Sequence, residues 1–217
     1  AGWDLRVIET PRPGKLPALN LGDGAARGDL RVYLDADVTV SPGLVAALVP
    51  ALDRPGPAYA TGTPRIARSP SAVTRAYARF WARLPFVTDG TPGFGCFAMN
   101  AAGRAQWQDW PDIIADDMFA RLSFAPANRH RVAETYDWPP VDGFANLVRV
   151  RRRQDAGVAQ LAQSFPALMA HEDKARTSPG LIGRLALRDP FGLAAYAGVV
   201  LATRLPVLRG SGWVRGR

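Results

Sequence analysis

Apolar residues in the first third of the chain alternate between short runs and one helical stripe. The runs at 5–9, 30–34 and 58–63 predict strands, of which the first two are expected to be buried, the second on both faces. Residues 15–27 predict a helix weakened by glycines. A second helix is predicted after Ser41-Pro42, with an apolar stripe made of Leu44, Val45, Leu48, Val49 and Leu52. This alternation predicts an α/β layer with a parallel sheet.

A third helix is predicted over residues 69–84, with an apolar face and a basic face. Arg75, Arg79 and Arg83 follow a four-residue step on one side of it. The apolar side carries Val73, Tyr77, Phe80, Trp81 and Leu84. The basic face is either a solvated surface or a contact for an anionic membrane or a phosphorylated acceptor.

The sequence changes in character near residue 165. Prolines interrupt a polar stretch, which is followed by a short apolar helix at 191–205 and an arginine-bearing tail. We therefore expect a main domain over residues 1–165 and a helical extension over 166–217. The extension is expected either to pack on the main domain or to lie at a membrane surface.

The composition restricts the chemistry that the chain can perform. Its 217 residues contain one cysteine and two histidines, which excludes a disulfide framework and a cysteine-based zinc cluster and argues against a Ser-His-Asp triad. The net charge is +8, and nearly all the basic residues are arginines, which suit bidentate contacts with phosphate or carboxylate. Catalysis is therefore expected to depend on carboxylates.

Asp35 and Asp37 come directly after the second predicted strand. Side chains two positions apart in an extended chain point the same way, so the two carboxylates can converge on one hard cation. The carboxyl end of a strand in an open α/β sheet is also where ligands gather. The alternative is a turn in which aspartate makes local hydrogen bonds.

The string GKLPALN…GDLRVYLDADV, which contains Lys15, Asn20, Asp35 and Asp37, resembles a stretch of family 2 glycosyltransferases with the GT-A fold. The resemblance implies an α/β fold whose mixed, mainly parallel sheet is flanked by helices. It also implies that Asp35 and Asp37 bind Mg²⁺ or Mn²⁺ and the diphosphate of a nucleotide-sugar. Lys15 and Asn20 would lie in the segment lining the donor site.

Two acidic residues and a glycine-bearing loop extend this resemblance. Gly93 and Gly95 precede an apolar run similar to the acceptor-side strand of the family, and Asp116-Asp117 resembles its acidic motif at the start of a helix. By position, Asp117 would be the general base on the acceptor hydroxyl and Asp116 its acidic neighbour. Adjacent carboxylates repel, which raises the pKa of one of them and suits that role. The alternative is a helix whose first turn favours acids.

The stretch from Arg149 to Gly157 is a weaker match to a motif near the end of the family's catalytic domain. Arg151 and Arg153 match it and would offset the charge of the leaving diphosphate, whereas Val150 and Gln154 depart from it. In processive members this motif holds the polymer terminus, so the departures predict a non-processive enzyme.

These observations lead us to expect a bacterial, metal-dependent and inverting glycosyltransferase that makes cell-envelope polysaccharide. Its acceptor hydroxyl would be on a saccharide, a lipid-linked group or another molecule. We expect it in the cytoplasm, peripherally on an anionic membrane surface, with no nucleic acid partner.

Because the family motif starts at residue 14, the first two strands of the family's domain are expected to be missing. The rivals are a nucleotidyltransferase with a similar sheet and a non-catalytic relic that binds anionic lipid or nucleic acid through its positive charge.

Overall fold

A computed structural model describes residues 4–205. Its strands are β1 (Leu30–Leu34), β2 (Thr39–Val40), β3 (Tyr59–Ile66), β4 (Cys96–Asn100) and β5 (Arg129–Trp138). Its α-helices are α1 (Lys15–Ala25), α2 (Leu44–Leu52), α3 (Ala72–Trp81), α4 (Pro85–Thr88), α5 (Ala101–Arg104), α6 (Asp116–Leu122), α7 (Phe144–Ser164), α8 (Pro179–Arg188) and α9 (Pro190–Arg204). Short 3₁₀ turns lie at Pro126–Asn128 and Pro166–His171.

The described strands form one mixed sheet in the order β1-β4-β3-β5-β2. β4 is antiparallel to both β1 and β3, while β3 and β5 pair in parallel from Tyr59 opposite Arg129 to Ile66 opposite Trp138. The α/β fold with a mixed sheet is confirmed, but among these neighbours only β3 and β5 are parallel, because β4 separates β1 from β3. Since β1, β3 and β5 run in the same direction, their carboxyl ends lie at the same end of the sheet. The antiparallel strand β4 begins at that end.

The core lies on both faces of the sheet, and β4 shows this most clearly because all of its residues are buried. Cys96 and Ala98 face a cluster that includes the α2 leucines, whereas Phe97 and Met99 face an aromatic cluster that packs on α6. The alternation follows from the two-residue period of a strand. The buried Cys96 is thus part of the core, as its apolar sequence context predicts.

The prediction of a buried strand at 5–9 was wrong. Residues 4–10 form no regular element, and the side chains of Leu5 and Val7 are 85% and 79% exposed, because no described strand pairs with this segment. The expectation that β1 is covered on both faces was also wrong. β1 is an edge strand: Tyr33 stacks on Phe97 in the core, while Val32 and Leu34 point to the other face and stay about half exposed.

The basic face predicted on α3 is largely occupied by contacts within the protein. Arg79 and Arg83 form ion pairs with Asp189, which also caps α9 by accepting a hydrogen bond from the Gly192 N–H. Arg75 donates hydrogen bonds to backbone carbonyls at the start of its own helix. These arginines therefore have partners within the protein, and a membrane contact through this face stays a prediction.

The chain beyond residue 165 packs against the sheet-bearing part. α9 lies against α3 and α7, where Leu147 and Val148 contact Val199 and Ala202 in a small buried cluster. Packing is thus the alternative that the structure supports for the described part of the predicted extension. The division at residue 165 stays a prediction, and the arginine-bearing tail after residue 205 lies outside the described residues. No helix within 4–205 is long and apolar enough to cross a membrane.

Candidate active site

A turn at the carboxyl end of β1 positions the first two carboxylates. The Asp35 N–H donates a hydrogen bond to the Gly95 carbonyl (2.9 Å), and the Val38 N–H donates one to the Asp35 carbonyl (3.1 Å). Val38 is buried in the core and anchors the turn, so Asp35 is held at the sheet edge and partly buried, while Asp37 is exposed. The turn thus presents two carboxylates where β1 ends and β4 begins.

Lys15 connects this turn to a carboxylate that is distant in sequence. Its Nζ lies 2.8 Å from Asp35 Oδ1 and 2.7 Å from Asp116 Oδ2. Burial lowers the pKa of Lys15, but attraction by Asp116 and Asp35 outweighs it and holds the pKa above its usual range. A charged lysine therefore joins the start of α1, the end of β1 and the start of α6.

Asp116 and Asp117 form the first turn of α6, and Asp116 is buried. Burial, followed by repulsion from Asp116, raises the pKa of Asp117 to about 6. Lys15 opposes this rise, as does the Met118 N–H, which donates a 2.7 Å hydrogen bond to Asp117 Oδ1. A carboxylate with such a pKa accepts a proton readily near neutral pH, which is the property that general-base catalysis requires.

The loop before α6 is held by α7. The Gln160 side chain accepts a hydrogen bond from the Ile114 N–H (2.9 Å) and donates one to the Asp112 carbonyl (3.2 Å). Gly157 lets the helix approach closely, since a Cβ there would lie 2.9 Å from Ala115 Cβ. Through these contacts α7 determines where the two carboxylates of α6 lie, a role of Gln160 that the sequence did not reveal.

Polar contacts, together with Leu16 and Leu19 packed against the aromatic cluster, anchor α1 and thereby fix Lys15. No residue of α1 is fully buried. Asn20 Oδ1 accepts a hydrogen bond from the Trp110 N–H (2.8 Å), and Asp23 accepts hydrogen bonds from Tyr33, Arg104 and the indole of Trp110. The structure therefore gives Asn20 an anchoring contact, whereas its neighbour in the family motif, Lys15, reaches the carboxylates.

The two glycines of the predicted acceptor loop have positive φ angles, 63° at Gly93 and 75° at Gly95. A Cβ on Gly95 would lie 2.8 Å from Val38 Cγ2, 3.1 Å from Trp138 Cδ1 and 3.5 Å from Asp35 Oδ2. At Gly93 a Cβ would collide with the Tyr59 hydroxyl. Glycine is required here both by the backbone conformation and by space, and Gly95 lies directly beside Asp35.

The arginines of α7 do not both face the carboxylates. Arg151 forms an ion pair with Asp155 (3.0 Å) and a hydrogen bond with Tyr196 of α9, so the structure places it against α9 rather than at the predicted diphosphate site. Arg153 is exposed one helical turn before Gly157, on the side of α7 that passes Ala115. The difference arises because side chains two positions apart on a helix point to different sides.

A buried ion-pair network behind α6 was not predicted. Arg121 binds Glu172 and Asp173 at 2.7 and 2.9 Å, and Arg129 binds Asp173 at 2.8 Å. Both guanidinium groups are almost fully buried. Arg121 fastens the segment just after the 3₁₀ turn to α6, which carries Asp117, and Arg129 fastens the same segment to β5. Arg121, which lies between Ala120 and Leu122, could have signalled this, because buried charges need partners, whereas Arg129 has polar neighbours in the chain.

The comparison with known proteins agrees with this geometry. Residues 1–108, about half of the chain, match the family model described as Glycosyl transferase family 2. The chain belongs to this family. No curated protein matches the chain. The matched part of this family 2 glycosyltransferase contains Lys15, both carboxylates of the turn after β1 and the glycine loop, and it ends before Asp116. The mixed sheet flanked by helices is consistent with a GT-A-like fold, and the family decides against the nucleotidyltransferase alternative.

Proposed function

We propose that this glycosyltransferase transfers a sugar from a nucleotide-diphosphate sugar to an acceptor hydroxyl in a single inverting displacement. The observation that carries the proposal is the position of Lys15, which contacts both Asp35 and Asp116 within 2.8 Å and so supports a site in which the donor carboxylate Asp35 and the base Asp117 act together. The raised pKa of Asp117, about 6, supports its role as the base.

The proposed step needs only one proton acceptor from the protein. The acceptor O–H gives its proton to Asp117, the acceptor oxygen forms a bond to the anomeric carbon, and the bond from that carbon to the diphosphate oxygen breaks. The nucleoside diphosphate leaves with the electron pair. Lys15 adds positive charge beside the region where this negative charge develops, as does Arg153 if the exposed side chain reaches it on binding.

Asp35 and Asp37 are the residues that would hold a divalent cation. Within residues 4–205, no three His, Cys, Asp or Glu side chains are grouped as a metal site. Two aspartates still fit Mg²⁺ or Mn²⁺, because these ions bind through one or two carboxylates and take their other ligands from substrate phosphates and water. The cluster already accommodates the positive charge of Lys15 on Asp35. When bound, the cation would supply charge stabilisation to the leaving diphosphate.

Calorimetric titration with UDP and GDP, with and without Mn²⁺, tests the donor site. We expect metal-dependent binding of one nucleotide, lost in Asp37→Ala. Asp53→Ala is the matched control, because Asp53 is an exposed aspartate at the opposite edge of the sheet, before β3 begins. Metal-dependent binding that survives in Asp37→Ala would contradict the role of Asp37. An absence of binding to both nucleotides would count against transfer by this chain and favour the non-catalytic alternative.

The departures from the arginine motif support non-processive transfer. The packing of α9 supports a catalytic part over 1–165 with a helical extension over 166–217.

For the expected peripheral location in the cytoplasm, the corner between α8 and α9 is better suited than α3 to contact a membrane surface. Leu187 and Phe191 are 87% and 78% exposed there, beside the exposed Arg184 and Arg188. Sedimentation with phosphatidylglycerol vesicles, lost in Leu187→Ser with Phe191→Ser, would support this contact, and equal binding of the double variant would contradict it.

A further inference from the structure

Three aromatic side chains adjoin the carboxylate cluster and have no role in the mechanism above. Trp81 of α3, Phe94 of the glycine loop and Trp138 at the end of β5 form an aromatic patch. Their ring centroids are 5.3 Å apart for Trp81 and Phe94, 5.6 Å for Trp81 and Trp138, and 5.2 Å for Phe94 and Trp138. Each ring is only partly buried. The patch is therefore an accessible surface at the edge of the core.

The patch reaches the carboxylates through Gly95. The indole of Trp138 and the carboxylate of Asp35 flank this glycine, at 3.1 and 3.5 Å from the position that a Cβ would occupy. Phe94 precedes the same glycine. Trp138 is the last residue of β5, and Asp35 directly follows β1 at the same end of the sheet. A molecule lying on the patch is thus next to the cluster that contains Asp35, Lys15 and Asp116.

The indole N–H groups of the patch are available to a ligand. Among the described tryptophans, Trp110 donates to Asp23, and Trp107 has a buried N–H without a partner. The N–H groups of Trp81 and Trp138 form no hydrogen bond within the described residues and are not buried. Exposed indoles offer an apolar face together with a hydrogen-bond donor at its rim.

A cleft lined by both polar and apolar residues includes Pro139, which directly follows Trp138 in the chain. It has a volume of about 420 Å³ and lies between the ends of β3 and β5 and the starts of α3 and α7. Arg68, Ser69, Asp142 and Asn146 are among its lining residues. Because Pro139 of this cleft is the chain neighbour of Trp138, polar side chains of the cleft lie near the patch and add hydrogen-bonding groups to its apolar surface.

We propose that Trp81, Phe94 and Trp138 form the acceptor subsite, and that the acceptor is a saccharide whose ring lies on this patch. A pyranose ring has an apolar face of C–H groups and a rim of hydroxyls, which matches flat aromatic rings bordered by N–H donors. The inference rests on the proposed transfer to a hydroxyl and specifies the molecule that carries it. A lipid or peptide acceptor would not need neighbouring aromatic rings and indole donors beside Asp35.

Saturation-transfer NMR tests the subsite without donor or metal. The probes are the methyl glycosides of glucose, galactose, mannose, rhamnose and N-acetylglucosamine, and their β-linked disaccharides. We expect at least one to bind the wild-type protein, with affinity about tenfold weaker in Trp81→Leu and in Trp138→Leu. Phe144→Leu, at a partly exposed aromatic outside the patch, is the control and is expected to bind like the wild type. Trp81→Leu decides the matter if Trp138→Leu does not fold.

The outcomes separate this inference from the donor site. Nucleotide binding by calorimetry is expected to be equal in the wild type and the tryptophan variants, because the patch contacts the acceptor alone. Failure of every saccharide to bind, or equal binding by Trp81→Leu, would overturn the saccharide subsite even if UDP or GDP binds. Failure of both nucleotides with retained saccharide binding would instead contradict the proposed transfer. Transfer to a lipid or peptide hydroxyl that is unchanged in both tryptophan variants would also overturn the subsite.

Discussion

Replacing the proposed base by an uncharged residue of the same shape is expected to stabilise the protein while abolishing transfer. Asp117 is held where ionisation is unfavourable, mainly by burial and then by repulsion from Asp116, so that its pKa is about 6 instead of 3.8. Each tenfold change in acidity corresponds to about 1.4 kcal/mol, which gives a cost of about 3 kcal/mol for the ionised side chain above pH 6. Because Asp117 is not fully shielded from water, this figure is an upper bound.

The pH at which this cost arises follows from proton linkage. Between about pH 4 and pH 6 the folded state binds more protons at Asp117 than the unfolded state, so wild-type stability falls as the pH rises through this range. Asp117→Asn removes the titration. Its Oδ1 can still accept the hydrogen bond that the Met118 N–H donates to Asp117. The variant should therefore equal the wild type at pH 4 and exceed it by up to about 3 kcal/mol at pH 7.

Urea unfolding followed by tryptophan fluorescence at pH 4, 5, 6, 7 and 8 measures the difference. Asp112→Asn is the matched control, because Asp112 is an exposed aspartate in the loop just before α6. A difference between Asp117→Asn and the wild type that does not change with pH would refute the argument from burial and repulsion. Transfer that persists in Asp117→Asn would show that another group takes the proton.

Three further substitutions test the supports of the site. Gly95→Ala should lower stability by about 1–3 kcal/mol and weaken metal-dependent nucleotide binding, because a Cβ there meets Val38 and Trp138 beside Asp35. Gly180→Ala, where a Cβ meets nothing, should have neither effect. Thermal unfolding measures the stability, and calorimetry measures the nucleotide binding. Arg121→Met should lower stability by about 1–3 kcal/mol in urea unfolding, because it removes the charged hydrogen bonds of Arg121 to Glu172 and Asp173. An unchanged stability would mean that the network is not essential. Lys15→Met should raise the pH at which the transfer rate increases, because Lys15 lowers the pKa of Asp117. An unchanged dependence of the transfer rate on pH would contradict that coupling.

The sequence anticipated those features that depend on neighbours along the chain. The helix at 15–27, the strand ending at Leu34 and the helix after Ser41-Pro42 are all present, because a period of two or 3.6 residues specifies which side chains can be buried together. The same patterns placed Asp35 and Asp37 at a strand end, whereas the helix start at Asp116 and Asp117 was implied by the resemblance to the family motif. Even so, Val45 and Val49 of the predicted apolar stripe on α2 stay partly exposed, because only Leu44, Leu48 and Leu52 face the sheet.

What the sequence determined by itself was the family, the α/β class and the residue types available for chemistry, since motifs and periodicity are local. The tertiary structure decided which of these residues meet. It brought Lys15 to Asp116, a residue distant in the chain, turned Arg151 towards α9, left 5–9 without a partner strand, and placed Trp138 beside Asp35. No local pattern contains this information, because strand order and helix packing are selected by the burial of the whole core.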